Sequence, residues 1–162
     1  MKKPSFLSKL KAEDKLKSVE PSEEICSSYI EKADNCFKSA KILLQNNLYE
    51  NSVSMSYYAM YNILRALLFK TGIKCENHAG SIVLLKKLFG KLELFKIISF
   101  AKEERIDKQY YVTSEKNFVL TKESAKDMVE KSEDFLVKMK LIISELKNEE
   151  IENIRSGFEK LY

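Results

Sequence analysis

Between Ser22 and about Asn46 the apolar residues Ile25, Tyr29, Ala33, Phe37, Ala40 and Leu44 recur at spacings of three or four. That period marks one face of an α-helix. Pro21 is expected in its first turn, where Glu23 and Glu24 favour the positive end of the helix dipole. A second helix is predicted from about Tyr49 to Lys70, closed by Gly72 just past its end. It is apolar almost all round, which marks a central helix contacted on several sides. A short helix follows over about Ala79–Phe89, ended by Gly90, and another from about Leu92 to Asp107. Lys108–Leu120 reads as a loop. Thr121 is a good N-cap for a last long helix with the stripe Ala125, Met128, Val129, Ser132, Phe135, Leu136, Met139, Ile142, Ile143 and Leu146. The phase nearly continues through Ile154, Phe158 and Leu161. The tail is therefore either part of one very long helix or a separate helix after the acidic stretch Glu149–Glu152.

Only four glycines and two prolines punctuate the 162 residues. An all-β chain would need turn residues far more often. The expected fold is all-α, an antiparallel up-and-down bundle of four to five main helices plus a C-terminal helix. Residues 1–20 are expected as a basic N-terminal arm, 21–147 as the bundle, and 148–162 as a C-terminal helical extension.

The net charge of +4 is unevenly spread. Six lysines fall in residues 1–20, and six more (Lys70, Lys74, Lys86, Lys87, Lys91, Lys96) fall in residues 70–96. Both regions suit contact with polyanions, and both equally suit ordinary solvated helix faces. The arm has the same two readings: a phosphate-neutralising segment, or an extension packing Phe6, Leu7 and Leu10 loosely on the bundle. No apolar run approaches the length of a membrane span, and the first residues lack a secretory h-region. Cys26, Cys36 and Cys75 are not spaced as metal ligands, and there is one histidine. A cytoplasmic protein with reduced thiols, no metal site and no cofactor is expected.

There is no glycine-rich phosphate loop, no HExxH and no nucleophile elbow. What remains is a small set of polar residues in apolar surroundings. Tyr58, Asn62 and Arg65, at i, i+4 and i+7, form a narrow polar stripe along the central helix. Arginine is rare, three against twenty-five lysines. Arg65 interrupts an apolar helix, and an unpaired buried guanidinium is costly, so it must reach an acid, a partner, a ligand or water. Arg105 precedes Tyr110 and Tyr111, a pattern that suits phosphate contact with base stacking, or an ion pair with Glu103 or Asp107. His78 leads an apolar stripe, either as a helix-start residue or as an acid/base group, with Lys74 close before it. Tyr57 and Tyr61 fall mostly in the core by spacing, though a buried phenol needs a partner.

The run Ser54-Met55-Ser56-Tyr57-Tyr58-Ala59-Met60-Tyr61-Asn62-Ile63-Leu64-Arg65-Ala66-Leu67-Leu68, then Thr71-Gly72-Ile73-Lys74 and His78-Ala79-Gly80, resembles the small prokaryotic branch of HEPN-domain proteins. Arg105 to Tyr111 is similar to that branch's Arg-then-Tyr segment, and Thr121 to Ala125 with Phe135 to its closing helix. The resemblance covers roughly residues 22–146. It implies a helical bundle, a homodimer, and pairing with a nucleotidyltransferase protein in a toxin–antitoxin type module. Active members of the family are metal-independent ribonucleases with Arg followed after four to six residues by His. This chain departs from that motif: twelve residues separate Arg65 from His78, and no histidine follows Arg105. The expected function is binding of a nucleotide, RNA or a nucleotidyltransferase partner, with Tyr58, Asn62, Arg65, Lys74, His78, Arg105, Tyr110 and Tyr111 as contacts. The rivals are a ribonuclease of altered geometry, with His78 as acid/base and Arg65 stabilising phosphate charge, and a non-catalytic dimerising partner subunit.

Overall fold

The computed structural model describes residues 5–110 and 120–161, with the backbone alone at 106–110. The described elements are α1 (Phe6–Ala12), β1 (Leu16–Ser18), α2 (Glu23–Gln45), α3 (Tyr49–Lys70), β2 (Ile73–Cys75), α4 (His78–Lys87), α5 (Leu92–Tyr110), α6 (Lys122–Glu145) and α7 (Asn148–Glu159). The fold is all-α apart from the two short strands.

Helices α2 and α3 form an antiparallel hairpin. Asn47, at φ 61°, lets the chain reverse within three residues. Near the open end the rings of Tyr29 and Phe69 stack at 5.5 Å, and near the turn the Ser52 hydroxyl donates to the Ala40 carbonyl at 2.8 Å. Ser22 starts α2, accepting the Ile25 N–H on its hydroxyl at 3.1 Å. Pro21 therefore lies outside the first turn where it was expected, because a hydroxyl satisfies one of the unpaired N–H groups there and proline has nothing to offer them. Helix α3 is the hub. It meets α2, α4, α5, α6 and β2, and it buries residues on nearly every side, including Tyr57, Met60, Leu64 and Leu67. A helix so apolar is stable only when surrounded.

Residues 5–18 are seated on this core. Leu7, Leu10 and Leu16 are buried, while Phe6 stays exposed. β1 pairs antiparallel with β2, placing Leu16 opposite Cys75 and Ser18 opposite Ile73. The two strands are an addition to the helices predicted from the sequence. Three residues are too few for alternation to register as a period.

Helix α4 starts at His78, with Asn77 as N-cap accepting the Gly80 N–H at 2.8 Å, and stops at Lys87. α5 runs past the expected end at Asp107 to Tyr110, since no glycine or proline stands in the way. The remainder of the expected loop, residues 111–119, lies outside the described residues, as does Tyr111. Thr121 caps α6, accepting the Ser124 N–H at 3.1 Å. The tail is a separate helix. Leu146 is extended, and the break comes before the acidic stretch, so Glu149 and Glu150 fall in the first turn of α7, where the dipole favours them. Among the described residues no helix is long and apolar enough to cross a membrane.

Candidate functional site

Tyr57, Tyr61, Arg65 and Phe69 are spaced by four on α3 and form one stripe. The first turn of α4 lies against it. On its other side Gly80 lets α1 and β2 close on that turn, because a Cβ there would come within 2.5 Å of Leu10 Cδ1 and 3.0 Å of Cys75 Sγ. His78 stacks on Tyr61, centroids 3.8 Å apart and planes 15° from parallel. Its Nδ1 lies 2.7 Å from the Tyr57 hydroxyl. α5 supplies the third side. Nη1 of Arg105 donates to the Tyr58 hydroxyl at 2.5 Å, and its guanidinium carbon stands 5.0 Å from the Tyr57 ring centre and 5.1 Å from that of Tyr58. Arg65 lies 4.5 Å over the Tyr29 ring and 5.9 Å from that of Tyr61.

The charges follow from this placement. Burial holds the His78 imidazolium below its ordinary range, helped by the positive charges of Arg105, Lys102 and Arg65. Burial pushes the Tyr57 phenol far up, against the pull of Arg105. Tyr61 is pushed up by burial too, opposed by Ser81 and Arg65. The contact holds with either tautomer: Tyr57 O–H donates to an unprotonated Nδ1, or Nδ1–H donates to the phenol oxygen. His78 is thus a neutral imidazole held between two tyrosines, in a positive field. Nε of Arg105 is buried and has no hydrogen-bond partner among the described residues. An atom of that kind calls for an acceptor.

The residues singled out in the sequence separate here. Tyr58, His78 and Arg105 come together, and Arg65 reaches the same cluster through Tyr61. Asn62 turns to α2, donating to the Tyr58 carbonyl at 2.9 Å and meeting Cys36 Sγ at 3.6 Å. The polar stripe therefore splits: Tyr58 meets Arg105 of α5, while Asn62 and Arg65 meet Cys36 and Tyr29 of α2. Lys74 sits on β2 with its ammonium 2.6 Å from Glu76. The Tyr110 side chain and all of Tyr111 lie outside the described residues. Arg105 makes no ion pair with Glu103 among the described residues and engages tyrosines instead, and the Asp107 side chain lies outside the description. Tyr57 and Tyr61, expected mostly as core, are buried and are also the two residues that hold His78. The signal that could have found them was the need of a buried hydroxyl for a partner in a chain with one imidazole. Among the described residues no group of three or more His, Cys, Asp or Glu is placed to hold a metal ion.

The HEPN domain family model matches residues 26–142, the span that builds α2 to α6 and the whole cluster. A UPF0332 protein of Thermotoga maritima is 30% identical over 130 residues, covering 77% of this chain and 96% of the relative. Two proteins of Methanocaldococcus jannaschii, each named "putative toxin", are 30% and 31% identical over 135 and 134 residues. These alignments cover 76% and 78% of this chain, and 92% and 88% of the relatives. The chain belongs to the HEPN domain family.

Proposed function

We propose that the chain is a toxin-like HEPN module that binds a phosphate-bearing ligand, a nucleotide or RNA, at the His78 cluster. The observation that carries this reading is Arg105: a guanidinium over two tyrosine rings, its buried Nε lacking an acceptor among the described residues, beside a neutral histidine. A phosphate oxygen supplies the missing acceptor, and Lys102 and Arg65 add attraction for an anion. The relatives named as toxins support a toxin-like module. The family resemblance extends the proposal to a homodimer paired with a nucleotidyltransferase protein, which gel filtration with and without that protein tests.

The test is RNA and mononucleotide binding by the wild type, Arg105→Ala and His78→Ala. Arg105→Ala is expected to weaken both ligands at least tenfold while the helical content is kept. Unchanged affinity in a folded variant overturns the placement.

A second reading, metal-independent RNA cleavage, is favoured by the Tyr57–His78 bond. A neutral imidazole whose Nδ1–H is donated to the Tyr57 oxygen leaves Nε2 unprotonated, the form a general base needs. Incubation with RNA under EDTA decides it: cleavage by the wild type that His78→Ala lacks supports the enzyme, and equal behaviour of the two removes it.

A further inference from the structure

On α6 the lysines are paired with carboxylates: Lys131 with Asp127, Lys138 with Asp134, and Lys140 with Asp34 of α2. Around His78 the pattern is reversed. Arg65 of α3 and Lys102 and Arg105 of α5 are half-buried and make no ion pair among the described residues. Arg65 is held by the rings of Tyr29 and Tyr61, and Arg105 by those of Tyr57 and Tyr58 and by the Tyr58 hydroxyl. The groups that face the imidazole are therefore the phenols Tyr57 and Tyr61 of α3 and these three cations. β2 adds the Cys75 thiol beside Tyr61, and α4 keeps its own Lys86 and Lys87 to its far end. No carboxylate stands among them.

His78 is the one member of this cluster able to change its charge near neutral pH. Its Nδ1 is engaged by the Tyr57 hydroxyl, whereas Nε2 makes no hydrogen bond among the described residues. Protonation makes donors of both nitrogens, and both have a use: Nδ1–H bonds the Tyr57 oxygen, and Nε2–H is left for a ligand. Besides burial, what opposes that proton is the unbalanced positive charge of Arg105, Lys102 and Arg65. A bound oxyanion cancels this charge.

We propose that the cluster takes up its oxyanion together with one proton, which His78 keeps for as long as the anion is bound. This rests on the phosphate reading of the site and adds how the site is regulated: it fills as the pH falls and empties as the pH rises. The sign follows from linkage. An anion that strengthens the hold of His78 on a proton is itself held more tightly, by the same factor, once that proton is present. The linked range runs from the His78 value of the free protein, below 6.5, up to its value with the anion bound.

Calorimetry with sodium sulfate at constant ionic strength tests this, because sulfate keeps both charges over the range in which phosphate itself titrates. Sulfate affinity of the full chain should rise roughly threefold or more between about pH 8 and about pH 6. His78→Gln should bind sulfate with an affinity that does not change over that range, and Arg105→Ala should weaken it at both ends. Should His78→Gln fail to fold, the wild type decides alone. Its single imidazole resonance should titrate at higher pH with saturating sulfate than without. An imidazole that sulfate leaves unmoved, or a pH dependence that His78→Gln retains, overturns the proton link and leaves the anion site standing. If sulfate binds at neither pH, or binds in a way that Arg105→Ala does not weaken, the phosphate reading itself has failed, and the link with it.

Discussion

The Tyr57 hydroxyl and Nδ1 of His78 lie 2.7 Å apart, and this bond ties α3 to the first turn of α4, where Tyr57 is buried and His78 half-buried. It anchors the only histidine of the chain, and that has consequences for stability as well as for chemistry.

The first concerns pH. The unfolded chain protonates its histidine near the ordinary value of 6.5, whereas the folded protein holds His78 below it. Between those two values the unfolded state binds more protons. The stability tied to the neutral imidazole is therefore fully present above pH 6.5 and is lost as the pH falls from there through the folded value. Urea unfolding at a series of pH values should show this decline in the wild type, and His78→Gln should flatten that part of the profile. With one histidine, a single imidazole resonance reports the folded value directly.

A second prediction separates the cations around that ring. Burial comes first among the causes of the shift, then Arg105, Lys102 and Arg65 in that order. Arg105→Met is expected to raise the His78 value more than Lys102→Met, and Lys102→Met more than Arg65→Met. Tyr57→Phe removes the hydrogen bond at Nδ1, at a cost of about 1 kcal/mol in stability. An Arg65 effect larger than that of Arg105, read from the same resonance, would contradict the geometry.

Much of this could be read along the chain. The periodicity of α2, α3 and α6 is strong because each packs one continuous face, or all faces, on neighbours, and the tyrosine segment carried the family. The site was legible only in part. Tyr58, His78 and Arg105 stood out as polar groups in apolar surroundings, yet spacing alone classed Tyr57 and Tyr61 with the core, to which they also belong. Nothing local shows that a ring buried in α3 will meet a residue twenty-one positions later. Asn62 shared an edge with Tyr58 and Arg65 on a helical wheel, but α5 takes Tyr58 while α2 takes Asn62 and Arg65. β1 and β2 were invisible, since their register comes from how the chain on either side is held.

Arg155 gives a third prediction, one about the tail. Its Nη1 donates to the Val19 carbonyl at 2.8 Å and lies 3.4 Å from the carbonyls of Thr71 and Gly72, so α7 clamps the C-terminal end of α3. A cation is well placed there. Gly72 has φ +72°, and a Cβ on it would come within 1.7 Å of Nη1 and 2.6 Å of the Val19 oxygen. Gly72→Ala should therefore cost more than the 1 kcal/mol or so of an ordinary left-handed alanine. Arg155→Ala should cost about 1.5 kcal/mol, the low end for bonds to a charged donor because the side chain is only partly buried. In the double variant the two losses should fall short of additive, because each disrupts the same clamp.

The last prediction concerns residues 5–18. Leu7 and Leu10 are 2% and 4% exposed, Leu16 is fully buried, and Leu10 Cδ1 fills the space left open by Gly80. These three leucines close the end of the bundle where α4 begins, which is also the end that holds His78. Leu10→Ala is expected to destabilise the fold by about 2–5 kcal/mol, the range for a leucine truncated in a core. An exposed control, Phe6→Ala, should cost far less. The effect should also reach the site: with the support of α4's first turn weakened, the His78 ring becomes more accessible to water, and its imidazole value should rise toward 6.5. A Leu10→Ala protein that unfolds at the wild-type urea concentration and keeps the wild-type His78 value would mean that the segment merely rests on the bundle.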